Sequence, residues 1–250
     1  MIQASDSRDS VLWQQRVDLA AAFRIAAQWG WHESVGNHFS AAVSSDGHQF
    51  LLNPRWMHFA LIKASDLLLL DSRDPDTLQR PHAPDPSAWC IHGRIHAMKP
   101  RARVVLHLHT PYATALAGLA DPTLLPIEQC TARFFNRLAI DQGYSGIADD
   151  HAEGDRLAHA LGEHRCMLMG NHGVLVTGAS VAEAFEELYY LERACQTLVL
   201  AYSTGRPLHV LSDALAVKTA SDWDDYRGMA FAHFRDLKLL LDQTNPGYEN

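Results

Sequence analysis

The sequence predicts a single α/β domain over residues 1–250, a layered sheet flanked by helices. Two observations carry that prediction. Helical and strand-like patterns interleave along the chain, with no linker, repeat or low-complexity block between them. At 250 residues and 47% hydrophobic content, the chain also holds enough apolar side chains to bury one sizeable core.

Each element has its own signal. Residues 9–29 read as a helix, because Leu12, Leu19, Ala20, Phe23 and Ala27 recur at helical spacing until Gly30 stops the run. The stretch "NHFSAAVSSDGHQFLLNP" reads as two short strands around a Ser45-Asp46-Gly47 turn. "DLLLLD" reads as a buried strand, and the Asp- and Pro-rich segment 72–87 as a loop. A helix should follow, with Asp85 as its cap, Pro86 at its first position and Pro100 beyond its end. "ARVVLHLHT" is a strand, and the alanine-rich run after Pro111 is helical to about Leu119. "DDHAEGDRLAHALGEHR" is a helix with Asp150 and Glu153 spaced as a capping box and Gly162 near its end. "CMLMGNHGVLVTG" gives two strands around Asn171-His172-Gly173. Ser180 and Glu183 form a second capping box that opens what should be the longest helix, and a final helix covers about 222–242.

Composition narrows the function. A formal net charge of −8 disfavours nucleic acid or an anionic membrane as the partner. The start, "MIQASDSRDS", has neither basic flank nor apolar core, and no apolar run approaches the ~20 residues of a membrane span, so a cytoplasmic location is expected. Cys90, Cys130, Cys166 and Cys195 are scattered without Cys-x-x-Cys spacing and read as buried free thiols. The 15 histidines are the anomaly, and they hint at metal or proton chemistry.

His107 and His109 stand two apart in "VVLHLHT", so both imidazoles project from one face of the strand. Spacing alone leaves two readings open: the polar side of a solvated strand, or a bidentate claw for Zn²⁺ or Fe²⁺. A catalytic site takes three protein ligands and keeps a position open. His172 is the candidate third, with Gly173 after it allowing close backbone approach; it also reads as an ordinary turn residue.

Five blocks in order then resemble the class II aldolase/adducin family over about residues 10–245: "GNHFS", "VVLHLHTPYATALA", "YSGIADD", "MGNHGVLVTG" and "AFEELYYLERACQ". The resemblance implies a central, mainly antiparallel sheet between helical layers, and a divalent metal held by His107, His109 and His172. Zinc is the first expectation, with iron or manganese as alternatives. It also implies a small-molecule substrate and a homotetramer with active sites between subunits. One departure is chemical. The family's aldolases carry a glutamate, acid/base and resting metal ligand, four residues before a histidine; here that position is Ala88, four before His92. A second concerns phosphate. Where sugar-phosphate aldolases have a small-residue turn, this chain has Arg55 and Trp56, and Pro86 replaces the first Ser of Pro-Ser-Ser. Trp56 would occupy the space a phosphate needs, although it could wall an aromatic or apolar substrate, and Arg55 could still meet an anion.

The missing base has several candidates. His92 and His96 lie i, i+4 on one helix face, either toward the metal or packed against the sheet. Glu128 lies in a block that family members extend into a neighbouring subunit's site, or is a solvated carboxylate. Tyr112 is a phenolic donor or a packing residue, and Asn37 a substrate contact or a turn residue. Trp89 reads as core. The leading expectation is a metal-dependent carbon–carbon lyase, by retro-aldol cleavage or decarboxylation of a small hydroxy- or keto-carbonyl compound that is not a sugar phosphate. The alternatives are a non-haem Fe(II) oxygenase acting on an aromatic keto or hydroxy acid and, without catalysis, an adducin-like oligomerisation module.

Overall fold

Strand pairing explains why the two parts of the candidate site meet. The computed structural model describes residues 2–144, 146 and 150–250, with side chains from Ser10 onward. Ser145 and residues 147–149, within the "YSGIADD" block, lie outside the described residues. In chain order the elements are α1 (Ile2–Gln28), β1 (His38–Ala42), β2 (Gln49–Leu52), β3 (Leu68–Asp71), α2 (Pro86–Met98) and β4 (Val104–Leu108). Then come α3 (Pro111–Ala117), α4 (Gln129–Arg133), β5 (Leu138–Asp141), α5 (His151–Leu161), β6 (Cys166–Met169), β7 (Gly173–Gly178), α6 (Val181–Ser203), α7 (Asp213–Asp222) and α8 (Gly228–Thr244). The strands form a seven-stranded sheet in the order β3-β2-β1-β4-β7-β6-β5. Every adjacent pair is antiparallel except β5 with β6. Strand β4 is therefore central, with β1 on one side and β7 on the other.

The alternation of β4 sends its side chains into two different layers. Val104, Leu106 and Leu108 join the larger core beneath α1, α3, α6 and α8, with Phe39, Val174 and Val176. Val105 faces the opposite layer, where Ile91 and Ile95 of α2 and Leu157 of α5 pack on Met167 and Leu175. Each such aliphatic side chain, fully buried, contributes roughly 1.5–3 kcal/mol. His107 takes the same face as Val105 and is buried between β4 and the α2 layer, not on the solvated side of a strand.

The caps behave as their chemistry requires. Asp85 accepts the Ser87 amide at the start of α2, Asp150 accepts the Glu153 amide, and Ser180 accepts the Glu183 amide. Four expectations need correction. The longest helix is α1, with 27 residues, not α6 with 23. Strand β3 is an edge strand, and Leu69 stays 50% exposed because β3 pairs only with β2. Three elements, α4, β5 and α7, have no counterpart in the sequence expectations, and the last helix begins at Gly228 after a 3-10 turn over Trp223–Tyr226. Cys130 is only half-buried, whereas the other three cysteines are buried. None of the described helices is long and apolar enough to cross a membrane.

Candidate metal centre

The histidines of "VVLHLHT" meet the histidine of "MGNHG" because β4 pairs with β7. In that register His107 lies opposite Leu175, and His172 sits in the turn just before β7 begins. Gly173 is obligatory at this junction, since a Cβ there would stand 2.5 Å from the Leu108 carbonyl oxygen and 2.6 Å from the His109 ring. Asn171 turns the chain at a φ of 55°. The result is a cluster in which one nitrogen each from His107, His109 and His172 lies within 4.8 Å of the others.

Hydrogen bonding fixes which nitrogens are free. His107 Nδ1–H donates to the Val174 carbonyl at 3.1 Å, leaving Nε2 unprotonated. His109 Nδ1–H donates to the Glu33 carboxylate, and its Nε2 is buried with no partner. Burial, reinforced by the neighbouring His109, pushes the His172 pKa down to about 4. Burial and the surrounding histidines hold His107 well below the usual imidazole range. Three imidazoles with converging nitrogens, one of them an orphaned buried Nε2, fit a divalent ion as a donor set. The Glu33–His109 contact is the carboxylate–histidine pairing that orients metal ligands. Sequence reading did not find Glu33, which lies far from His109 along the chain.

Other groups border the cluster. Asn37 Oδ1 accepts the Glu33 amide at 2.7 Å, while its Nδ2 is buried and unpartnered. That orphan is a donor available to a ligand oxygen. The Tyr144 ring lies 6.1 Å from His172 and is half-exposed. Arg156, held between Asp141 and Glu153, lines the same small cleft as Tyr144 and His172.

On the far side of His107 stands His38, its direct partner across the β1–β4 pair. Their ring centroids are 4.9 Å apart. His38 Nδ1 is 2.7 Å from His92 Nε2, and Ser40 Oγ bridges His92 and His96. His92 and His96 are fully buried; His92 meets the His38 ring directly, and His96 is linked to it through Ser40 and His92.

The remaining expected residues fall as follows. Ala88 is buried with Phe50, Leu52 and Trp89, and its methyl offers neither ligand nor proton. Trp89 is core. Trp56 is 68% exposed at a φ of 62°, with the Arg55 guanidinium stacked 4.1 Å from its ring. Arg55 also reaches Asp85 at 3.5 Å. Within this chain the Glu128 carboxylate accepts the Cys130 and Thr131 amides, both at 2.7 Å, as the cap of α4. Tyr112 packs on the larger core, and its amide donates to Glu192. Tyr144, not Tyr112, is the phenol beside His172.

Comparison with known proteins bears on this geometry. The sequence profile of the Class II Aldolase and Adducin N-terminal domain matches residues 17–199. A Caulobacter vibrioides protein named for the class 2 aldolases is 37% identical over 244 residues, covering 94% of this chain and 92% of its own. The crystal structure of an aldolase II superfamily protein from Pseudomonas syringae superposes with a TM-score of 0.83 at 32% identity. That match covers 95% of this chain and 96% of the other. The decarboxylase NovR of Streptomyces niveus is 27% identical over 189 residues, 75% of this chain and 70% of its own.

Proposed function

Since the chain belongs to the class II aldolase and adducin family, we propose that it is a metal-dependent carbon–carbon lyase. Its substrate is a small hydroxy- or keto-carbonyl compound, cleaved by retro-aldol reaction or decarboxylation. The observation that carries this reading is the buried His109 Nε2, without a partner, beside two further neutral imidazoles. His107, His109 and His172 would hold a divalent ion, zinc first, with iron or manganese as alternatives. That ion would supply Lewis-acid polarisation of a carbonyl oxygen.

The chain's own residues account for the rest. Glu33 fixes the ring of His109, so its Nε2 stays directed into the cluster. Asn37 Nδ2 donates to a carboxylate or carbonyl oxygen of the bound compound. Ala88 removes the family's glutamate, and decarboxylation tolerates that loss, because it needs no proton taken from carbon. Arg55 is already engaged by Asp85 and Trp56, which disfavours a sugar phosphate. Similarity to a protein named as a decarboxylase supports the same direction. We read residues 1–250 as one functional unit that assembles as a homotetramer. Exposed Leu215, Val217, Phe231, Leu239 and Leu240 on the last two helices offer apolar surface for that assembly.

The test is a panel of 2-keto and 3-hydroxy acids incubated with and without oxygen with zinc-, manganese- or iron-loaded protein, assayed for carbon dioxide and aldehyde release. The reading expects metal-dependent cleavage that is lost in His109→Ala. Turnover that needs both iron and oxygen would replace the lyase by an oxygenase, and cleavage unaffected by His109→Ala would overturn the site.

A further inference from the structure

We propose that this chain has a second binding site, for a small aromatic carboxylate, in a cleft at the end of β6 remote from the metal cluster, with the Arg133 guanidinium as its anchor. The inference does not depend on the metal-lyase reading.

The cleft has a volume of about 430 Å³, a size that small-molecule sites share. Cys166, the first residue of β6, lines it, whereas His172 lies past Met169, the last. Its other walls are the end of α4, the first turns of α6 and the 3-10 turn that leads into α8.

Hydrogen-bonding capacity is left over on one side of it. The Asp224 carboxylate accepts Arg137 through both oxygens, at 3.1 and 3.0 Å, and Arg227 at 3.1 Å. Glu186 Oε2 lies 2.5 Å from His233 Nδ1, Glu183 accepts the Ser180 hydroxyl at 2.9 Å, and Glu163 accepts Arg101. Glu187 is left to face two guanidiniums, Arg133 at 3.3 Å and Arg165 at 3.7 Å. Neither guanidinium donates a hydrogen bond among the described residues, although each carries five N–H groups. Taken with Glu187, the two arginines leave one positive charge unmatched.

Surface arginines leave such donors to water. Arg133 differs, because its side chain is only 13% exposed. Its guanidinium carbon lies 4.4 Å from the Tyr190 ring and 4.9 Å from the Trp223 ring, and these cation–π contacts hold the group in place. What they leave open faces the cleft that Arg133 lines. Desolvated donors without partners are costly, so the arrangement favours an occupant that accepts from them.

The walls select that occupant. A carboxylate matches the planar guanidinium fork with two parallel hydrogen bonds, and its single charge equals the one left over. Arg165 shares Glu187 with Arg133, so it stands beside the same oxygens from the solvent side. Phe134, Trp223 and Tyr226 also line the cleft, so a flat ring carried by the carboxylate is buried against aromatic surface. Phosphate fits less well: its second charge meets Glu183, Glu186 and Glu187, and it has no apolar part for those rings.

Calorimetric titration of the full-length protein with benzoate tests the site. Wild type should bind one Arg133-dependent benzoate per chain, saturably. Arg133→Met, which keeps an unbranched apolar stem, should weaken binding at least about tenfold, as loss of a charged hydrogen-bond donor does. Arg165→Met, at an exposed side chain, should weaken it about threefold and serves if Arg133→Met does not fold. Benzamide, a neutral analogue of the same shape, should bind at least about tenfold more weakly than benzoate. No saturable benzoate binding overturns the proposal, as does wild-type affinity in folded Arg133→Met, or in Arg165→Met where that variant does not fold. Equal binding of benzamide, or tighter binding of inorganic phosphate than of benzoate, overturns the assignment of an aromatic carboxylate.

Discussion

Glu33 offers a direct handle on how the cluster is held. Its carboxylate accepts the Nδ1–H of His109, so Glu33→Ala frees that ring to rotate and removes a negative charge beside a ligand of the proposed ion. Loss of such a supporting carboxylate costs roughly 10–100-fold in metal affinity. The Glu33 side chain is 64% exposed, so water screens its charge and the lower end applies. The expected loss is about tenfold, or ~1.4 kcal/mol. Glu33→Gln keeps an acceptor oxygen but loses the charge, and should weaken binding only ~3-fold. Competition with a chromogenic zinc chelator measures both variants. Wild-type affinity in Glu33→Ala, or a greater loss in Gln than in Ala, would refute the argued role of the hydrogen bond.

Three further outcomes follow from the same structure. The buried Glu192 carboxylate accepts Thr110 Oγ1 and the Tyr112 and Ala113 amides, so Glu192→Ala leaves two buried donors and one part-buried donor unpaired. Urea melts should show a loss of about 3–5 kcal/mol, and less for Glu192→Gln; an unchanged midpoint would contradict the cap. Gly173→Ala places a methyl against the Leu108 carbonyl and the His109 ring, and should cost about 1–3 kcal/mol together with zinc affinity, measured by the same melts and chelator titration. Metal-free protein should lose stability as pH falls. Burial holds His96 at about 4, below its ordinary 6.5, so the unfolded chain binds the proton first. That stability is complete above pH 6.5 and declines toward pH 4, by about 1–2 kcal/mol at pH 5 for this one histidine. A Tm that is the same at pH 7 and pH 5 would contradict this.

What was legible in the sequence was local. Caps at Asp85, Asp150 and Ser180 are read from residues within four positions of one another, and all three form. The pair in "VVLHLHT" was visible because a two-residue spacing fixes a shared strand face. The third histidine was a candidate from the glycine after it, with a turn residue as the equal reading, and the family resemblance decided between the two. Strand β5 escaped notice because "LAID" is four residues ending in an acid, with Ile140 exposed. Helix α7 escaped because it buries only two alanines and has no clear apolar stripe. Within the site, Glu33 and His38 were hidden for one reason: each finds its partner across more than 50 residues. "GNHFS" drew attention to Asn37, yet the residue next to it faces His107. His92 and His96 are candidates on helix spacing alone, which could not show that His92 meets the His38 ring.

The central claim is that His107, His109 and His172 form one metal site. Its most direct test is metal stoichiometry, by plasma mass spectrometry, of wild type and His109→Ala purified without added metal and matched for fold by circular dichroism. The account predicts one divalent ion per chain in wild type and none in the variant. Metal-free wild type, or equal metal in both proteins, would contradict it.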